Sequence, residues 1–295
     1  MWHHSQQSIF YGGYCVTSSS FPENTFALIL GASSGFGAAT ALELARHGIH
    51  IIGVHLDRAA TLPACEQVKQ AIEEQGVGAH FFNINAADAV QRGEVLEEVG
   101  RIFSERQGAR IHVLLHSLAF GTLRPLVAGD ATGELTQSQI EMTMNVMANS
   151  LVYWTQDLIR RGMMGEGASI YAMTSSGSHR VLPQYGAVSA AKAALESFCR
   201  QLAFELGPRS IRVNAIQAGV TDTPALRKIP GTERIMESAL SRNPGGRLTR
   251  PEDVARVIAL LSSDAGAWIN GSTLRVDGGE DAVEMNWMND GARTQ

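Results

Sequence analysis

With 295 residues, 44% of them hydrophobic, the chain has enough apolar surface for one large α/β domain or two small ones. A net charge of −5 without a dense Lys/Arg run argues against nucleic acid as the main partner, because phosphate neutralisation needs clustered cations. No stretch approaches the ~18 uninterrupted apolar residues of a membrane span, and the start of the chain lacks the charged segment and apolar block of a signal peptide, so a cytoplasmic protein is expected.

In chain order, residues 1–24 read as a polar, aromatic-sprinkled, flexible extension, in which His3 and His4 have no third donor nearby. Cys15, Cys65 and Cys199 are odd in number and far apart, which suits free thiols, and no metal site is expected. From residue 25 onward, short β-branched runs alternate with longer amphipathic ones, the mark of strand–helix repeats and a parallel sheet. The expected strands are "TFALILG", "GIHIIGV", "AHFFNI", "IHVLLHS", "ASIYAMTS", "IRVNAIQ" and "STLRVDG", with helical stretches such as "GAATALELARHG" and "AAKAALESFCRQLAFELG" between them. Seven strands and six crossings predict one doubly wound α/β domain of Rossmann type over residues 25–280. Residues 222–248 break the rhythm with prolines. Ligands of a doubly wound sheet sit at the carboxyl ends of its strands, so this excursion is expected to cover a substrate; a surface helical hairpin is the plainer alternative. Residues 281–295 read as a C-terminal tail.

Directly after the first strand comes "GASSGFGAAT", with Gly31, Gly35 and Gly37 enclosing Ser33, Ser34 and Phe36. Glycine there allows positive φ and a close approach of backbone to a pyrophosphate, and the following helix offers its free N–H groups. The strand before and the helix after supply the context that dinucleotide binding requires. At the end of the second strand, His55 and Arg58 could accept an adenosine 2′-phosphate, whereas Asp57 could bind the ribose hydroxyls; NADPH is the expected cofactor, with NADH possible. Asn83 and Ile84, ending the third strand, stand where an adenine ring is normally gripped by one polar and one apolar side chain; plain strand-end residues are the equal alternative. "YGAVSAAK" places Tyr185 and Lys192 seven residues apart, about two turns or ~700° of helix, so the two side chains share a face. On an amphipathic helix such a pair is ordinarily an interface aromatic and a solvated cation, and spacing alone does not displace that reading.

Together these motifs resemble the short-chain dehydrogenase/reductase superfamily across nearly the whole chain. Its ordinary members carry Tyr-x-x-x-Lys with a serine thirteen residues before the tyrosine; here Val188 occupies the tyrosine position. The seven-residue spacing resembles that of the enoyl-acyl-carrier-protein reductases, a divergent branch. "HSLAF" at residues 116–120, Ala218-Gly219 in "NAIQAGVTDTPA", the arginine and proline of "SHRVLPQY", and "RVDGGEDAVEMNW" are similar to that branch as well. The chain departs from many of its members by a short glycine loop and by Ser175 where they have an aromatic. Ser175 coincides with the ordinary serine, as either a hydrogen-bond donor or a strand-end residue. Met147 replaces the asparagine of the ordinary proton relay, with Asn145 and Asn149 close by.

The resemblance implies reduction of the C2=C3 bond of trans-2-enoyl thioesters, with Tyr185, Lys192 and Ser175 as catalytic residues. It implies cofactor contacts from His116, Ser117, Leu118, Lys192, Ala218, Gly219, Val220, Thr221 and Thr223, and substrate contacts from Ala119, Phe120, Tyr185 and Ile229. For Phe120, Leu126, Met147, Ile229 and Met236, core and acyl-pocket roles are both open. A homotetramer and an acidic carrier protein are also implied, with Arg227, Lys228 and Arg234 as candidate carrier contacts by charge. A carbonyl or dienoyl reductase, and an idle dinucleotide sensor, are the competing readings.

Overall fold

The computed structural model describes residues 21–129 and 132–284, together with the backbone of Phe10–Tyr11 and Tyr14–Cys15. These two short segments pair antiparallel. The rest of the expected N-terminal extension, including His3 and His4, and the tail beyond residue 284 lie outside the described residues.

All seven expected strands form: β1 Thr25–Leu30, β2 His50–His55, β3 Ala79–Asn83, β4 Arg110–His116, β5 Met164–Ser175, β6 Arg212–Ala218 and β7 Thr273–Val276. They make one all-parallel sheet in the order β3-β2-β1-β4-β5-β6-β7. Every residue of β1 is buried, because helices cover both faces of the sheet. Strand alternation sends Phe26, Leu28 and Leu30 to one face, with Val99, Trp154 and Leu195. Ala27 and Ile29 go to the other, with Leu44 and Ile258. Each such large side chain contributes ~1.5–3 kcal/mol on leaving water. Trp154, fully buried, also donates its indole N–H to the Ala86 carbonyl at 2.8 Å.

The helices are α1 Gly35–Arg46, α2 Leu62–Glu73, α3 Ala89–Ser104, α4 Gln137–Met144, α5 Ser150–Arg160, α6 Gly186–Leu206, α7 Thr232–Arg242 and α8 Pro251–Ser262. A π turn at Asn145–Asn149 joins α4 to α5, and the hydrophobic pattern gives no warning of it. The order reverses between β1 and β4, so the crevice at their carboxyl ends is the place for a ligand. The excursion at 222–248 folds as a 3₁₀ turn, Leu226–Lys228, followed by α7. No helix of the described residues is long and apolar enough to cross a membrane.

Candidate active site

The glycine loop lies at that reversal. A Cβ on Gly37 would stand 1.9 Å from the Gly31 carbonyl oxygen, and one on Gly31 would stand 2.4 Å from that of Ser117. Gly31 and Gly35 have φ of +93° and +55°, which L side chains rarely adopt. Only glycine therefore lets β1, the start of α1 and the loop after β4 meet. Ser34 precedes α1 without a side-chain cap, which leaves the first N–H groups of the helix open to an anion. This cradle fits the pyrophosphate of a dinucleotide. The base of the excursion closes on it, with the Thr223 methyl 3.4 Å from where a Cβ of Gly35 would stand.

At the end of β2 the geometry corrects the reading of His55. The side chain is buried, Nδ1 lies 2.9 Å from Asp57 Oδ2, and Nε2 lies 3.5 Å from Cys65 Sγ. Both ring nitrogens are engaged inside the protein, so His55 does not present itself to a phosphate. These three residues form the only group of potential metal donors among the described residues. The hydrogen bonds account for it, since the two partners meet different nitrogens of one ring. Burial pushes the Cys65 thiol up to about 11, helped by the Asp57 and Glu66 charges, so the thiol is protonated. Asp57 behaves oppositely: burial raises its pKa, but hydrogen bonds from Thr61, Ser33 and His55 outweigh it and hold the carboxyl below its ordinary value. An ionised carboxylate thus stands beside Ser33 of the glycine loop. Arg58 is exposed.

Asn83 is likewise engaged. Its amide accepts from Asp57 N at 2.9 Å and donates to Asp57 O at 3.0 Å, so its side chain braces the β2 loop instead of standing free for adenine. Ile84 is half-buried and packs on the core.

Tyr185 does not lie within the helix as the spacing suggests. It stands at the N-cap of α6, where its carbonyl accepts from Ser189 N at 2.8 Å, and its phenol lies near Ser175 and Gly177. A Cβ on Gly177 would stand 2.5 Å from the Tyr185 ring, so that glycine makes room for it. Burial raises the phenol pKa, and the Ser175 hydroxyl offsets part of the rise. Ser175 Oγ is itself buried without a partner in regular hydrogen-bond geometry. Tyr185 is therefore a neutral donor at pH 7.

Lys192, seven residues on, is buried and donates to the Met173 carbonyl at 2.7 Å, with the Leu118 carbonyl at 3.5 Å. Burial depresses its pKa to about 8, against the opposing pull of Glu196. Val188, in the ordinary tyrosine position, is buried against Gly121, and Met147 packs beside it; both are core residues.

His116 is a second correction. It is fully buried at the end of β4, with Nε2 2.8 Å from Ser150 Oγ and no partner at Nδ1. Burial, reinforced by the Lys192 charge, depresses its pKa to about 3. Its side chain is a neutral support beneath the site and has no surface to offer a cofactor. Ser117 and Leu118 do face the glycine loop, through Gly31. Ala119 and Phe120 are exposed beyond them. Leu126 packs on Gly186 at the start of α6 and is half exposed, while Ile229 and Met236 are partly exposed on the excursion.

In the loop after β6, Ala218 ends the strand, and Gly219 has no room for a side chain, since a Cβ would stand 2.3 Å from Thr249 Oγ1. Thr221 bonds back to the Gly219 carbonyl at 3.0 Å, and the Val220 N–H is bound by Glu280, an acid the motifs did not single out. Arg227 pairs with Asp222 at 2.7 Å within the excursion, which leaves Lys228 and Arg234 as its exposed, less committed cations.

Fold and site together define an oxidoreductase built on a dinucleotide-binding sheet. Residues 31–280 match the family described as enoyl-(acyl carrier protein) reductase. A 3-oxoacyl-(acyl-carrier-protein) reductase of Pseudomonas aeruginosa is 30% identical over 86% of this chain and 96% of its own length. The 1-cyclohexenylcarbonyl-CoA reductase of Streptomyces collinus is 30% identical over 86% of this chain and 85% of its own. Among solved structures, a short-chain dehydrogenase of Burkholderia cenocepacia in complex with NADP is 29% identical and superposes with a TM-score of 0.72, covering 86% of this chain and 97% of the other. The chain belongs to the short-chain dehydrogenase/reductase superfamily.

Proposed function

We propose that this protein reduces the C2=C3 double bond of 2-enoyl thioesters with a nicotinamide dinucleotide. The carrying observation is that Val188 is core while Tyr185 sits a turn earlier, at the mouth of α6. In a ketone the carbon receiving hydride is the carbonyl carbon. In an enoyl thioester it is the β-carbon, two bonds beyond the carbonyl carbon, and a hydroxyl set back by one turn suits that longer reach.

The glycine cradle, Lys192 and the loop at 218–223 would hold the cofactor, which when bound supplies the hydride. The Tyr185 phenol donates a hydrogen bond to the thioester oxygen, where negative charge gathers as an enolate, and the α-carbon then takes a proton from water to complete the reduction. The Lys192 ammonium, buried on the same helix two turns on, favours that charge in a poorly solvated setting. The ionised Asp57 carboxyl beside Ser33 disfavours a 2′-phosphate, so NADH is the cofactor we favour, with NADPH, to which Arg58 is the exposed cation, as the alternative. Lys228 and Arg234, by charge, are the contacts for an acidic carrier protein, and the working assembly is a homotetramer, as the resemblance implies.

The Streptomyces relative, whose name denotes an unsaturated acyl thioester, supports this reading. The Pseudomonas relative, named for 3-oxoacyl substrates, favours ketone reduction as the second one. Crotonyl and acetoacetyl thioesters assayed side by side with NADH and NADPH separate them. Oxidation of NADH by the crotonyl thioester is expected, and turnover of acetoacetyl thioester alone would overturn the proposal.

A further inference from the structure

Three acids fall within the five residues after β7: Asp277, Glu280 and Asp281, with carboxylates that are nearly all buried. Buried carboxylates are costly unless each has partners, so the partners show what the segment does.

Asp277 shapes the turn itself. It accepts the N–H groups of Gly279 at 2.9 Å and Asp281 at 3.0 Å. The next two acids then point to different loops. Asp281 receives His179 Nε2 at 3.1 Å and Arg180 Nε at 2.7 Å, and a second Arg180 nitrogen donates to its backbone carbonyl at 2.9 Å. Gln217, near the end of β6, adds a hydrogen bond at 3.0 Å. These contacts outweigh the effect of burial and hold the Asp281 carboxyl below its ordinary pKa. Glu280 Oε2 instead accepts the Val220 N–H at 2.9 Å.

The loop gripped by Asp281 needs such a hold. It leads from Ser175 to Tyr185, and Gln184, directly before the tyrosine, has φ of +61° without being glycine. Such a backbone persists only where its surroundings over-determine it. The Tyr185 position gets no help from a side-chain cap on α6. Among the described residues, the ion pairs of the loop, from His179 and Arg180, both go to a residue about a hundred positions away.

We infer that Asp281 and Glu280 are positioning residues that act on the two halves of the site separately. Asp281 works through His179 and Arg180 on the Tyr185 loop, and Glu280 works through Val220 on the cofactor loop. The inference rests on the proposed reaction for its kinetic arm only.

The test compares Asp281→Asn with Glu280→Gln in the full-length protein, after both are shown to melt cooperatively. Hydrogen exchange of residues 177–185 should rise roughly ten-fold in Asp281→Asn and not in Glu280→Gln, with the reverse at 219–221. The Kd for NADH, from fluorescence titration, should rise roughly ten-fold in Glu280→Gln and less than two-fold in Asp281→Asn. With crotonyl thioester, Asp281→Asn should lower kcat roughly ten-fold, and should cost nothing further in a Tyr185→Phe background, because it acts through that phenol. Arg180→Ala, cutting the same link from the other side, should reproduce the exchange pattern. Equal loosening of both loops by both variants, or full additivity with Tyr185→Phe, would overturn the inference. If the wild type reduces no enoyl thioester, the proposed reaction fails, and the exchange and NADH measurements still decide the clamp.

Discussion

The β1–β3 half and the β4–β7 half of the molecule are assembled in different ways. In the first, most working residues lie close in sequence: the three glycines fall within seven positions, and His55 bonds to Asp57 two residues on. In the second, Lys192 bonds to Met173 and Leu118, Tyr185 meets Ser175 and Gly177, and Asp281 grips His179 and Arg180. A site made of neighbours is set by backbone conformation. One made of distant segments depends on what each loop is tied to.

The largest expected effect lies in the first half. Gly37→Ala puts a methyl 1.9 Å from the Gly31 carbonyl, so α1 must move off β1; it should destabilise the fold by ~3 kcal/mol or more and abolish NADH binding, read by thermal melting and fluorescence titration. Retained NADH affinity would mean that the cradle is not set by backbone contact.

Tyr185→Phe comes next, and it tests the second half alone. It should lower kcat by ~10²–10³-fold while the Kd for NADH stays within two-fold, because only the oxyanion donor is lost. A parallel loss of both would show that the halves are not separable.

Lys192 carries a pH signature. Its folded pKa of about 8 lies below the ordinary 10.5, so the ammonium is lost as pH rises through about 8, and kcat/KM should then fall about ten-fold per pH unit. Stability moves the other way: between those two values the unfolded chain binds more protons, so the melting temperature should gain from rising pH, and Lys192→Met should remove that gain.

The smallest effect belongs to Asp57. Removing its charge with Asp57→Asn should improve NADPH affinity several-fold and weaken NADH by a similar factor, measured by titration with each. Unchanged discrimination would shift the choice to exposed Arg58.

Much of this was legible beforehand. The seven strands follow from alternating apolar runs, and the glycine loop follows from spacing with its strand and helix. What the sequence did not show has one physical cause. His55 and Asn83 look available at strand ends, but both are hydrogen-bonded to Asp57. His116 looks like part of a binding motif, but it lies under the site against Ser150. Glu280 and Asp281 stand where the domain gives way to the tail, and they hold loops far from them in sequence. A polar side chain has several hydrogen-bonding options in a chain, and its type does not say which partner takes it.

By itself, the sequence determined the parallel sheet, the order of its strands along the chain, and the glycine loop between the first strand and helix, because these depend on local pattern and spacing. The tertiary structure alone decided that Tyr185 stands ahead of α6 instead of inside it, that Val188 is core, and that an acid pair after β7 holds both loops of the site. Those outcomes depend on which buried polar groups find each other once the chain is packed, and burial makes each such pairing costly to leave unmade.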